Sequence, residues 1–178
     1  MKPFRPNVCA VIADEERGRV LVFRRAGRQF AARPWQFPQG GLRKGEAPAA
    51  GLLRELEEEI GTANVEIVRR LDRPIRYVYP PAVARQLERD GSKMARYRGQ
   101  EQHWFLVRLL GSTSEIHFDH EPREFRGFRW VTARQAAALV VPFKHEAYVK
   151  ALRGLGLIRP RAASPRVKAG PRRKAARR

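Results

Sequence analysis

The stretch "RELEEEIG" at residues 54–61 carries Glu55, Glu57, Glu58 and Glu59, in a chain of 178 residues with 37 Lys and Arg against 18 Asp and Glu. On a helix turning about 100° per residue, Glu55, Glu58 and Glu59 fall on one side and Glu57 on the other. Ala49, Leu52, Leu53, Leu56 and Ile60 form an apolar stripe beside that carboxylate ridge, which predicts an amphipathic helix with the stripe in the core. A solvated acidic face is the bland reading. Against it, like charges at i,i+3 and i,i+4 repel, and the helix macrodipole disfavours anions near its C-terminal end. A hard divalent cation such as Mg²⁺ removes both penalties, because it takes oxygen ligands and is held by a few carboxylates together with substrate phosphates. The chemistry to expect is divalent-metal binding together with the phosphates of a substrate.

The elements around this helix must position it. "NVCAVIAD" and "GRVLVFRR" read as strands joined by a polar turn, and "ARPWQFPQGG" as a loop. "EAPAAGLLRELEEEIG" reads as the helix, with Pro48 in its first turn and Gly61 at its C-terminal cap. "NVEIVRRLDRPIRYVY" and "EQHWFLVRLLG" read as strands, the second nearly continuous in apolar residues and therefore central. "FRGFRWV" is a short strand; "TARQAAALV" and "PFKHEAYVKALRGLG" are helical. This order predicts an α/β sandwich around a mixed sheet.

Residues 1–158 are expected to form one domain. The last twenty residues, "RPRAASPRVKAGPRRKAARR", hold nine Lys and Arg and no acid. Such a segment buries too little apolar area to offset its ordering entropy, so a disordered basic tail is expected at 159–178. The formal charge of +19 points to a polyanionic partner, nucleic acid before membrane. No apolar run approaches the roughly 20 residues that span a bilayer. One cysteine, Cys9, excludes an internal disulfide and reads as a small core residue. With no signal-peptide pattern at "MKPFRPN", a cytoplasmic protein is expected.

The spacing from residue 40 resembles the Nudix box: Gly, five residues, Glu, seven residues, then Arg-Glu-apolar-x-Glu-Glu-x-Gly. Here these are Gly40, Glu46, Arg54, Glu55, Leu56, Glu58, Glu59 and Gly61; the departure is Thr62 at the usually apolar last place. The resemblance implies a Nudix-type α/β/α sandwich and a hydrolase that cleaves nucleoside diphosphates linked to another moiety. It implies that Glu55, Glu58 and Glu59, with the Gly40 carbonyl, bind two or three Mg²⁺ or Mn²⁺ ions. Arg54 would orient the glutamates, and Glu46 and Gly61 would be structural.

Beyond the box, "FRPNVCAVI", "WQFPQGG", "GQEQHWFLVRL", "EFRGFRWV" and "VPFKHEAYVKAL" resemble the bacterial RNA pyrophosphohydrolases, from about Phe4 to Leu152. That resemblance implies Arg25 near the 5′ phosphates, Phe143 stacking on the first base and Lys144 on a phosphate. An aromatic beside a lysine suits a single-stranded 5′ end; core packing is the alternative for Phe143. It implies Glu124 as an extra metal ligand or base, against which stands a surface carboxylate paired to Arg123 or Arg126. Trp35 and Gln39 would shape the site. His117 and His120, near Asp119, lack the ligands of a zinc site and read as surface residues; His103 and His145 have no visible catalytic partner. The segment from 26 to 34 is longer than the family pattern, and the basic tail is additional. The expected activity is hydrolysis of a 5′ tri- or diphosphate RNA end. Dinucleoside polyphosphate hydrolysis is the alternative, and an RNA-binding protein with an inactive Nudix fold is a third reading.

Overall fold

The computed structural model describes residues 1–27 and 32–159. The basic tail from residue 160 onward, and the middle of the longer 26–34 segment, lie outside the described residues. Among the described residues, no helix is long and apolar enough to cross a membrane.

Strand β1 (Phe4–Asp14) and strand β7 (Gly99–Leu109) run parallel at the centre, with Asn7 opposite Gln102 and Ala10 opposite Phe105. Both faces of β1 are buried, so its alternation sorts apolar residues into two cores instead of core and solvent. Cys9, Val11 and Ala13 join Val20, Val22, Trp104 and Leu106 on one face; Val8, Ala10 and Ile12 join Leu21, Phe23, Phe105 and Val107 on the other. Helix α1 (Pro48–Ile60) covers the second face with Leu52, Leu56 and Ile60. Helices α3 (Ala133–Leu139) and α4 (Pro142–Gly154) cover the first with Ala136, Ala137, Tyr148, Ala151 and Leu152. The result is the expected α/β/α sandwich around a mixed sheet.

Strand β2 (Arg19–Arg25) meets β1 only at the turn end, where Ala13 faces Val20 and Asp14 faces Arg19. Further along, β1 exchanges this partner for β4 (Gln39–Gly41), pairing Cys9 with Gln39 and Asn7 with Gly41. β2 in turn carries β3 (Trp35–Gln36) and β8 (Phe125–Val131). The loop expected over 32–41 therefore contains two short strands; its Pro and Gly residues limit their length without preventing pairing.

Two further differences have local causes. The strand expected over 64–79 is two, β5 (Val65–Arg70) and β6 (Ile75–Val78). Pro74 lies in the break, and the two pieces pair with opposite ends of β7. Residues 81–89 form a helix, α2, that starts on Pro81 and has no fully buried residue. It leans on the first core through Val83, Ala84 and Leu87. In α1 the apolar stripe is narrower than expected: Leu53 is exposed.

Candidate active site

A cavity of about 960 Å³ opens where β1 changes partner, and residues from almost every element line it. α1 contributes Glu55 and Glu59, β4 Gln39 and Gly40, and β2 Arg25; β3 adds Trp35, α4 Phe143 and Lys144, and the approach to β8 adds Glu124. Residues separated by more than 100 positions in the chain thus share one space.

The box organises the carboxylate wall. The Arg54 guanidinium donates to both Glu46 oxygens (2.7 and 2.8 Å), to Glu55 Oε1 (2.8 Å), to Glu58 Oε2 (3.1 Å) and to the Gly41 carbonyl (3.0 Å). This fork ties the loop before α1 to the helix itself. Arg54, with the Arg43 backbone N–H, holds the Glu46 carboxyl down at about 2. Gly40 lets the Glu55 carboxylate lie against the backbone, and a Cβ there would displace that carboxylate. Gly61 caps α1 at φ 74° and leaves room for the His117 ring, and the His117 backbone N–H donates to the Ile60 carbonyl at 3.0 Å. Thr62 is buried, and its hydroxyl accepts from Asn64 N at 3.1 Å.

Glu59 reaches deepest. Burial pushes its carboxyl well up, the Glu124 and Glu55 charges push it further, and the Gln39 N–H at 2.9 Å opposes them. Burial also raises Glu55, with Arg54 opposing. Oxygen donors that repel one another beside the Gly40 backbone match the needs of a hard cation. Glu58 points elsewhere, to Arg54 and Arg43, each at 3.1 Å. Among the described residues no three His, Cys, Asp or Glu side chains already converge as metal ligands. Glu58 would have to exchange these exposed ion pairs for a metal, an exchange that costs little.

Facing the carboxylates is a cationic and aromatic wall. Arg25 Nε donates to Glu124 Oε1 at 3.2 Å, and Gln36 Nε2 lies 3.4 Å from the same oxygen. Glu124 is thus paired with Arg25 of the adjoining strand and not with Arg123 or Arg126. Lys144 is buried at the start of α4; burial, then the Arg25 charge, brings its ammonium down to about 8. Phe143 is half-buried against Tyr77, with ring centroids 5.8 Å apart, and still lines the cavity. Packing and exposure to the cavity are both true of it.

The NUDIX domain family matches residues 3–152. The chain belongs to the Nudix family. The RNA pyrophosphohydrolase of Acidiphilium cryptum is 42% identical over 153 residues, covering 85% of this chain and 89% of the relative. That of Saccharophagus degradans is 42% identical over 155 residues, covering 85% of each chain. Among solved structures, the E. coli dihydroneopterin triphosphate pyrophosphohydrolase superposes with a TM-score of 0.59 at 20% identity, covering 84% of this chain and 96% of its own. A C. elegans Ap4A hydrolase gives 0.56 at 15% identity, covering 84% and 98%. At these identities the structures bear on the Nudix fold alone.

The Nudix cavity also holds residues that the sequence did not single out. Arg5 lines it, packs where Gly41 leaves no room for a Cβ, and its charge lowers the Glu55 carboxyl. Tyr77 and Gln100 lie beside it, the Tyr77 hydroxyl donating to Gln100 Oε1 at 2.6 Å. Their sequence signal was weak: Arg5 is one arginine among many, and the other two read as ordinary strand residues. The histidines behave as surface groups. His117 and His120 stack with centroids 6.1 Å apart, and His117 Nδ1 lies 3.2 Å from Asp119.

Proposed function

We propose that this Nudix chain is an RNA 5′ pyrophosphohydrolase, converting a 5′ tri- or diphosphate end to a monophosphate with release of pyrophosphate or phosphate, and so promoting RNA decay. One observation carries the reading: a single cavity sets the carboxylates Glu55, Glu59 and Glu124 against Arg5, Arg25, Lys144 and the half-buried Phe143. The similarity to curated RNA pyrophosphohydrolases over most of the chain supports the same substrate.

Nudix hydrolases depend on a divalent metal. Glu55, Glu58, Glu59 and the Gly40 carbonyl are the ligands we assign, with Glu124 as a further one, for two or three Mg²⁺ or Mn²⁺ ions. When bound, the metal neutralises phosphate charge and lowers the pKa of water. The chain's own residues do the rest. Arg54 fixes the box carboxylates, and Arg5, Arg25 and Lys144 hold the polyphosphate oxygens. Phe143 offers a ring face to the first base. A cavity carboxylate, Glu124 or a box glutamate, takes the proton of the water that attacks a 5′ phosphorus. The bond to the departing phosphate oxygen breaks, and that oxygen leaves as pyrophosphate or phosphate. The working compartment we assign is the cytoplasm.

Incubation with Mg²⁺ and 5′-triphosphorylated RNA should yield RNA that a 5′-monophosphate-dependent exonuclease degrades. Glu58→Gln should abolish that conversion. Intact triphosphate ends after treatment with the wild-type protein would reject the function. Near-normal conversion by Glu58→Gln would reject the metal assignment.

A further inference from the structure

Beneath the cavity floor lies a layer of buried amides that hydrolysis does not use directly. Asn7 and Gln102 are fully buried and face each other across the parallel β1–β7 pair. Gln102 Nε2 donates to Asn7 Oδ1 at 2.8 Å and to Gln39 Oε1 at 3.1 Å, with Gln100 Oε1 at 3.4 Å. Gln39 Oε1 also lies 3.4 Å from Lys144 Nζ. Meanwhile the Gln39 backbone N–H holds Glu59 Oε2 at 2.9 Å. Gln39 therefore joins a carboxylate of the box to the buried lysine, and Gln102 grips Gln39 from below.

The direction of this chain is fixed by chemistry. Lys144 can only donate, so the Gln39 group nearest it must be the oxygen. Two donors on that oxygen, Lys144 and Gln102, leave the Gln39 amide one orientation. Buried amides cost stability unless fully bonded, yet Asn7 Nδ2 and Gln102 Oε1 have no hydrogen-bond partner. An apolar pair at 7 and 102 would serve the core better. We infer that Gln102, backed by Asn7, is a positioning residue for the polyphosphate end, acting through Gln39 to hold Lys144 at the cavity. Without it the Gln39 oxygen loses one of its two donors, the Gln39 side chain is free to swing off the amide layer, and Lys144 moves with it from its place at the cavity.

The inference rests on the polyphosphate-hydrolysis reading for its consequence, but not for its geometry, and two measurements separate them. In the first, Gln102→Met, Lys144→Met and the double variant are assayed with Mg²⁺ on 5′-triphosphorylated RNA and on diadenosine tetraphosphate. Gln102→Met should raise KM about tenfold, the scale of one hydrogen bond to a charged group, and leave kcat within about twofold. The double variant should be no worse than Lys144→Met alone, as coupled residues require. Additive losses, or a fall in kcat at constant KM, would overturn the inference. In the second, metal-free protein is acetylated with acetic anhydride and read by mass spectrometry at Lys144. Gln102→Met should label several-fold faster than Val11→Ala, which loosens the same core without touching the amides. Equal labelling would also overturn it. If the wild-type protein cleaves neither substrate, the hydrolase reading fails, and the labelling still decides the role of Gln102.

Discussion

Arg54 has five acceptor oxygens within hydrogen-bonding distance, four from carboxylates and one from the Gly41 carbonyl. Its role was legible through the resemblance to the Nudix box, which sets it one turn before Glu58. Glu124 was legible only as a candidate, since nothing in "PREFRGF" says that its partner is Arg25, 99 positions earlier. Arg5 was not legible at all: its value comes from where β1 starts, beside Gly41 and Glu55. It supplies a prediction at this scale. Arg5→Ala should raise KM for 5′-triphosphorylated RNA about tenfold with kcat little changed, since it removes a charge-assisted contact. Phe143→Ala should do likewise for RNA, base stacking being worth about 1–3 kcal/mol. Inorganic tripolyphosphate, which has no base, should compete equally well against both the wild-type protein and Phe143→Ala. Steady-state kinetics with tripolyphosphate as a competing ligand checks both.

Elements with one dominant period could be read directly. β1 and β7 carry the apolar runs "VCAVIA" and "WFLV", and α1 has a stripe, a proline start and a glycine stop. The elements that were missed are short. β3 and β4 are two and three residues long and exist because β1 and β2 offer them edges. α2 does carry a helical stripe, Val83, Ala84 and Leu87, but it is only nine residues long and buries nothing completely. Within α1, the wheel placed Leu53 in the stripe, whereas the helix meets the sheet along the narrower line of Leu52, Leu56 and Ile60. Leu56→Ala should therefore cost about 2–5 kcal/mol, the range for a large-to-small change in a packed core. Leu53→Ala should stay within about 0.5 kcal/mol. Urea unfolding of the two variants makes the comparison, and equal losses would contradict the packing described.

For the whole molecule, charge is the governing quantity. In metal-free protein, Glu59 and Glu55 have carboxyls raised by burial. A raised carboxyl favours the protonated form, so this contribution to stability is present below the ordinary carboxylate pKa and is lost as pH rises through the raised value. Glu46, held at about 2, titrates below this window. Lys144, brought down to about 8 by burial, begins to lose its proton at the upper end of the range and opposes the trend there. With EDTA, Tm should fall as pH rises from 5 to 7.5. With Mg²⁺ the fall should be reversed, because the ion competes with protons for the same oxygens. A Mg²⁺-induced rise in Tm that is the same at every pH would contradict a metal site on these carboxylates.

The chain's formal charge of +19 includes nine Lys and Arg beyond residue 158. We propose that this tail adds affinity for RNA by neutralising phosphates. Truncation after Ile158 should raise KM for RNA and flatten its dependence on salt, as read from KM at a series of ionic strengths. No change in either would reject that role. On this proposal a basic protein carrying an acidic helix is no paradox: the basic surface would gather polyphosphate, and α1 would supply oxygens for the metal that meets it.

The most direct test of the central claim is the ratio of kcat/KM for 5′-triphosphorylated RNA to that for diadenosine tetraphosphate, measured with Mg²⁺ at one ionic strength. A cavity built for an RNA 5′ end predicts a clear preference for RNA. A preference for the dinucleotide would contradict it.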